Sequence, residues 1–314
     1  MRRASGRLFD AYLAVDWSAR SLPSPATPTR DALWVGEATI DAEGPALRIG
    51  ASYWRTRHAC IAHVRARLLA HLAAGRRVLV GFDFPYGYPA GYAAALGLPP
   101  PAPPWRRIWD ALAALIVDEP ANANNRFTVA ARLNARCGPP GSGPLWGCPP
   151  AACAPTLAPT SPGYPYEVGL GHSLARTRRT EARAPGTQPA WKLLGQGSVG
   201  GQALLGIPYV RALRDDPVLA PASRVWPFET GFTPAPTPPH APAIVHAEIW
   251  PGIVPGPLDP AIPIRDEAQV CAVAGWLAAQ DAAGTLGALF APPRGLAAAD
   301  LTVCQAEEGW LLGA

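Results

Sequence analysis

Two apolar runs that each stop on an aspartate constrain this chain most: Ala14-Val15-Asp16-Trp17-Ser18 and Val80-Gly81-Phe82-Asp83-Phe84-Pro85. Short runs of apolar, β-branched and aromatic residues favour buried strands. A carboxylate at the end of a buried strand is costly unless a partner neutralises it or hydrogen-bonds to it. Two such carboxylates on neighbouring strands predict a shared site. A divalent cation, which takes oxygen ligands, suits such a pair.

The surrounding pattern predicts how the strands are arranged. Residues 7–17 read as a first strand, followed by a loop marked by Pro23, Pro25 and Pro28. Residues 31–40 and 46–54 read as two more strands, separated by a turn signal at 41–44. Short connections suggest an antiparallel meander. Residues 57–74 carry Cys60, Ile61, Val64, Leu68, Leu69 and Leu72 at helical spacing, and Gly75 closes that helix. A fourth strand, 78–82, leads into Asp83. A strand that follows a crossover helix pairs parallel to an earlier one. The order β-β-β-α-β, with acids ending the first and fourth strands, predicts an α/β fold with a ribonuclease H-like mixed sheet.

Composition separates the middle of the chain from its ends. The 39 prolines are about twice the usual share, and they concentrate between Pro99 and Pro263. Helical patterns at 104–117, 121–136 and 201–214 lie among proline- and glycine-rich loops. We read 99–242 as one large, partly helical insertion or cap between two parts of the core, 1–98 and 243–314. The core pattern resumes with a strand at 243–249 containing Glu248 and a helix at 265–283 containing Asp266. A loop or short helix is expected at 285–290, and a final strand or clasp at 307–313.

Other features exclude classes. No apolar run is long enough to span a membrane. The basic start, Met1-Arg2-Arg3, is followed by a short apolar stretch broken by Asp10 and Asp16, unlike a signal peptide; a cytoplasmic protein is expected. The formal charge is +4, and Lys192 is the single lysine. The six cysteines lack a Cys-x2-Cys pair, so reduced thiols are expected rather than a zinc knuckle.

The strand ends VDWSA (15–19), GFDFPYG (81–87) and HAEIWP (246–251), with the helix at 265–282, resemble the bacterial proteins of domain of unknown function 429, grouped with the ribonuclease H-like superfamily. The resemblance covers 9–91 and 244–290, less than half of the chain. Asn122–Phe127, Trp191–Gln202 and Val225–Gly231 are similar to signatures of a longer subgroup with a central insertion.

The resemblance implies a metal-dependent hydrolase of a phosphodiester or nucleotide phosphate, nuclease-like, using Mg²⁺ or Mn²⁺. By position, Asp16, Asp83, Glu248 and Asp266 would be catalytic and hold the metal. The resemblance also implies an alternative, a non-catalytic protein binding a phosphorylated cofactor or nucleotide, including one of molybdopterin metabolism. One departure favours this alternative. Ribonuclease H uses a glutamate in the helix after the third strand, whereas residues 57–74 contain no acid. Glu248 or Glu229 would have to replace it.

Several residues suggest how phosphate or nucleic acid would be bound. Gly195-Gln-Gly-Ser-Val-Gly-Gly201 satisfies G-x-G-x-x-G but follows no good strand, so a dinucleotide fold is not expected. Ahead of a helix, such glycines expose N–H groups suited to an anion. Lys192, Gly195, Gly197 and Ser198 are therefore candidate substrate contacts, together with Arg126. Arg176, Arg178, Arg179 and Arg183 form a basic run that reads either as a phosphate-contact face or as a solvated surface. Trp105, Trp109, Trp146 and Trp191 read either as a base-stacking pocket or as core. Glu307 and Glu308 read as solvated.

Overall fold

A computed structural model describes residues 6–40, 46–138, 141–169, 172–238 and 241–314. The basic run at 2–3 and the turn expected at 41–44 lie outside the described residues.

The element order follows from where the sequence alternates and where it is punctuated. Strands β1 (Ala11–Asp16), β2 (Leu33–Ile40) and β3 (Leu47–Trp54) form the antiparallel meander. Helix α1 (Arg57–Ala73) is N-capped by Thr56, whose side chain accepts from the Ala59 N–H. It crosses over to β4 (Arg77–Phe82), which pairs parallel to β1. Helices α2 (Tyr92–Ala95), α3 (Pro104–Leu115) and α4 (Arg126–Asn134) follow, then a hairpin of β5 (Tyr166–Gly169) and β6 (His172–Leu174). Helix α5 (Val199–Asp215) leads to the short strand β7 (Ser223–Val225). Strand β8 (Ala243–Glu248) and helices α6 (Arg265–Ala282), α7 (Leu286–Phe290) and α8 (Ala298–Val303) complete the chain.

The main sheet is mixed and has six strands in the order β3-β2-β1-β4-β8-β7. Strands β1, β4, β8 and β7 run parallel, so their C-terminal ends share one edge of the molecule. In such sheets the crevice beyond these ends is the usual place for a ligand.

Side-chain alternation divides the core into two layers. Leu13, Val15, Val78, Val80 and Phe82 face one side, where Cys60, Val64 and Leu68 of α1 pack with Trp109 of α3 and Leu204 of α5. Tyr12, Ala14, Leu79, Val245 and Ala247 face the other side, against Val270, Val273, Ala274 and Leu277 of α6. Gly36 permits the second contact, because a Cβ there would meet the Val270 carbonyl.

Residues 99–242 do not stand apart from this core. They supply β7 to the sheet, and α3, α4 and α5 share one continuous apolar cluster with β1, β4 and α1. The four tryptophans are part of the packing. Trp105 stacks on Phe228 with ring centroids 4.7 Å apart, Trp109 meets Trp105 edge-on, and Trp191 packs on Tyr88 and Tyr92. Trp146 lies half-buried under Lys192. The base-stacking alternative is therefore replaced by a structural role.

The C-terminal piece forms a clasp. A π-helical turn, Cys304–Glu308, is followed by a bridge from Leu311 to Glu248, and the Leu312 N–H donates to the Glu248 carbonyl at 2.9 Å. No helix among the described residues is long and apolar enough to cross a membrane.

Candidate functional site

The parallel strand ends open into a cleft of about 190 Å³. Asp83, Glu248, Arg178, Glu181, Gly197 and Trp250 line it, with Thr187 and Gln188 at its wall. Three separate sequence signals therefore converge on one place: the GFDFPYG strand end, the HAEIWP strand end and the glycine loop.

Asp83 follows the last residue of β4. Its N–H donates to the Val15 carbonyl at 3.2 Å, and its Oδ1 accepts from the Trp17 N–H at 2.8 Å. These bonds hold it beside Asp16 at the end of β1. Both residues keep a partial opening to solvent, but the surrounding protein removes enough water to penalise their charges. Burial first, and then the Asp83 charge, raises the Asp16 carboxyl well above its ordinary range. Burial likewise pushes Asp83 up to about 7. Asp266 adds negative potential to both. No arginine or lysine figures among the main influences on either carboxyl.

Asp266 lies in the first turn of α6 and accepts the Asp31 N–H at 2.5 Å. The helix N-cap itself is Ile264.

Glu248 is the end of β8 and was expected among the metal ligands. The fold commits it instead to Arg178, whose two terminal nitrogens meet the two Glu248 oxygens at 2.6 and 2.8 Å. The same guanidinium bonds Glu181, at 2.5 Å from Nη2, and the Glu308 carbonyl. The Glu248 Oε2 also accepts the Tyr86 N–H at 3.0 Å. Arg178 is fully enclosed, and the two glutamates hold its charge in place. Burial raises the Glu181 carboxyl despite that partner. Among the described residues, no three His, Cys, Asp or Glu side chains come together as a metal-ion site.

The glycine loop is built for close packing. Gly195 and Gly197 have φ of +93° and +70°, which L side chains rarely adopt. A Cβ on Gly200 would strike the Ala190 and Lys192 carbonyls. The Lys192 ammonium donates to the Gln196 carbonyl at 2.6 Å and lies over the Trp146 ring. It closes the loop. Ser198 is the α5 N-cap but makes no side-chain capping bond. The Gln202 amide donates to the Trp17 carbonyl, tying the start of α5 to the end of β1. Gly197 and Val199 line the cleft, whereas Lys192 and Gly195 do not.

Arg126 was expected to contact substrate. It is buried and donates to the Ser21 hydroxyl and the Asn124 side chain, both at 2.9 Å. With Asn122, it clamps the loop after β1. The Asn122 side chain accepts the Arg57 N–H and donates to the Leu22 and Arg55 carbonyls. Arg57 occupies the helix that lacks an acid. Its guanidinium is fully buried and bonds Asp118 and the Ser18 and Arg20 carbonyls. A basic anchor thus holds the loop that follows Asp16.

Other expectations are corrected in the same way. Glu229 pairs with Arg214 and accepts the Val225 N–H, so it does not replace the missing acid. Of the basic run, Arg178 is internal, Arg179 pairs with Asp300 and Glu308, and Arg183 donates to the Arg294 carbonyl. Arg176 is exposed. Glu308 is buried and accepts from the Ala90 and Arg179 N–H groups, and Glu307 accepts from Gly91. Neither glutamate is solvated as read from the sequence. The structural importance of Arg178 was missed. Its one local signal is Glu181 at i+3, a spacing common on exposed helices as well.

Comparison with protein-family models, with curated proteins and with solved structures gave no match.

Proposed function

We propose that the protein is a metal-dependent hydrolase of a phosphodiester or nucleotide-like phosphate, with Asp16 and Asp83 as the ligands of Mg²⁺ or Mn²⁺. The observation that carries this reading is the Asp16–Asp83 pair itself. Two carboxylates meet at the ends of adjacent parallel strands; burial raises the proton affinity of both, the Asp83 charge raises that of Asp16 further, and no basic side chain is prominent in neutralising them. The donor set fits a hard divalent cation. Magnesium binds through one or two carboxylates plus waters and substrate phosphates, so a third protein ligand is not required. Asp266 lies close enough to add field, but its carboxylate already accepts the Asp31 N–H. The strand order β3-β2-β1-β4-β8 and the direction of each pairing support a ribonuclease H-like reading of the sheet.

Once bound, the cation would polarise a phosphoryl oxygen and lower the pKa of a bound water. The chain's own residues orient and enclose. Arg57 and Asn122 hold the Ser18–Leu22 loop, and the Trp17 N–H fixes one Asp83 oxygen. Trp250 and the Gly197 turn bound the cleft that would receive the phosphate.

Binding without catalysis is the second reading. It is favoured by the pairing of Glu248 with Arg178, which withdraws the acid that would have held a second ion. Calorimetric titration with Mn²⁺ and Mg²⁺, alone and with a nucleotide, tests both. Saturable binding lost in Asp16→Asn and Asp83→Asn, together with hydrolysis of a nitrophenyl phosphodiester, is the expected result. Binding without turnover selects the second reading. No cation binding in a folded wild type, even with nucleotide present, sinks the metal site.

A further inference from the structure

Away from the cleft, the loop after Trp146 brings two cysteine sulfurs together. Cys148 and Cys153 have Sγ atoms 3.3 Å apart. Cys148 is buried and Cys153 is exposed. The intervening Pro149-Pro150-Ala151-Ala152 contains a 3₁₀ turn, Pro150–Ala152, and Ala154 bridges to Leu157. Proline restricts the backbone on one side of the turn, so the two sulfurs are held in register by a short, stiff loop. A recess of about 390 Å³ opens beside Cys153, lined by Asn124, Asn125, Phe127, Thr128 and Ala131. The other four cysteines are Cys60, Cys137, Cys271 and Cys304, and three of them are buried.

We infer that Cys148 and Cys153 form a reversible dithiol–disulfide site that exchanges with a low-molecular-weight disulfide seated in the recess beside Cys153. Exposure decides the order of events, since the attacking thiolate must reach the reagent. The Cys153 thiolate attacks one sulfur of the reagent, forming a mixed disulfide and releasing one thiolate. The Cys148 thiolate then attacks the Cys153 sulfur, forming the protein disulfide and releasing the second thiolate. The protein loses two electrons and two protons, and the reagent disulfide is reduced to two thiols. Cys148 suits the second role. Burial pushes its thiol up to about 11, which slows it towards bulk reagents, and its proton passes to the thiolate released in the first step as it attacks the adjacent Cys153 sulfur. The sulfurs must close from 3.3 Å to a bond of about 2.05 Å.

The site touches the fold near the cleft. The Trp146 N–H donates to the Trp191 carbonyl, and the Leu193 N–H donates to the Trp146 carbonyl, directly ahead of the glycine loop. Gly147, with φ of +88°, packs against the Leu194 backbone.

The test uses the full chain, reduced and then incubated with glutathione disulfide, followed by intact mass, free-thiol titration and peptide mapping. Wild type is expected to lose two of its six thiols, with the link mapped to Cys148–Cys153 and reversed by dithiothreitol. Cys148→Ser is expected to stop at a mixed disulfide on Cys153, and Cys153→Ser to keep all of its remaining thiols. Retention of six thiols by folded wild type overturns the proposal. So does a link mapped to any other pair, or equal reaction of Cys153→Ser. Because the wild-type mapping decides by itself, the proposal stays testable even if a serine variant does not fold.

Discussion

Glu248 and Asp83 stand side by side and meet opposite fates. Phe82 of β4 pairs in register with Glu248 of β8, and Asp83 is the next residue along β4. Both acids line the same cleft. Glu248 receives two bonds from the Arg178 guanidinium and one from the Tyr86 N–H. Asp83 receives one N–H and faces a second carboxyl, that of Asp16. Position at a strand end is thus no guide to role. What separates the two acids is whether the fold brings a guanidinium to them. Glu248 shares Arg178 with Glu181, whereas the Asp16–Asp83 pair is the bare side of the contrast.

The largest effect should come from breaking the compensated side. Arg178→Met leaves Glu248 and Glu181 buried without their countercharge. It is expected to cost about 3–5 kcal/mol in urea unfolding, as removal of one partner of a buried ion pair does. A cost near zero would mean that Glu248 has another partner and would dissolve the contrast.

The opposite sign is expected on the bare side. In metal-free buffer at about pH 8, Asp16→Asn replaces a carboxyl whose charge is penalised by burial and then by Asp83, and should raise the melting temperature. On the proposed metal site, Mn²⁺ should raise the melting temperature of the wild type and not that of this variant.

The pH dependence sharpens this. Asp83 titrates near 3.8 when unperturbed and near 7 in the fold. Across that window the folded state keeps a proton that the unfolded chain has released. The stabilisation is complete below the lower value and is lost as pH rises through the upper one. Metal-free wild type should therefore melt lower at pH 8 than at pH 5, and Asp83→Asn should reduce the difference, leaving the part that burial of Asp16 contributes. Glu37 shifts the other way, down to about 2, through His71 and Arg67 working against its burial.

The smallest effect belongs to the glycine loop. Lys192→Met removes one bond to the Gln196 carbonyl. It should cost about 0.5–1 kcal/mol and leave Mn²⁺ affinity unchanged. A large loss of nucleotide affinity in that variant would return Lys192 to the binding site.

Strands β2, β3, β4 and β8 were legible because their apolar runs are bounded by turn residues or acids. Strand β1 begins at Ala11 rather than near residue 7. Before it, the Leu8 and Phe9 N–H groups bond the Asp281 carboxylate instead of a neighbouring strand. Helix α4 begins at Arg126, not near 121, because Asn122 takes φ of 69° and spends its side chain on the loop after β1. Strand β7 has three residues among prolines and no pattern long enough to recognise. The placement of Asp16 and Asp83 at strand ends was readable from local sequence alone. The Arg178–Glu248 pair was not, since it joins residues 70 apart and only the packed fold brings them together.

The clasp near Glu308 has a consequence for how the protein is made. Glu308 bonds the Ala90 N–H across 218 residues, and the same turn receives Arg178. Synthesis on a ribosome proceeds from the N-terminal side, so most of the sheet emerges well before the segment that braces its open edge. During that interval the nascent chain carries Glu248, Glu181 and Arg178 without their full set of bonds. Partly assembled states of this kind expose apolar surface and associate readily. A pulse-labelled nascent chain stalled before residue 300 should therefore be markedly more protease-sensitive at this cleft than one stalled after residue 314 has cleared the exit tunnel.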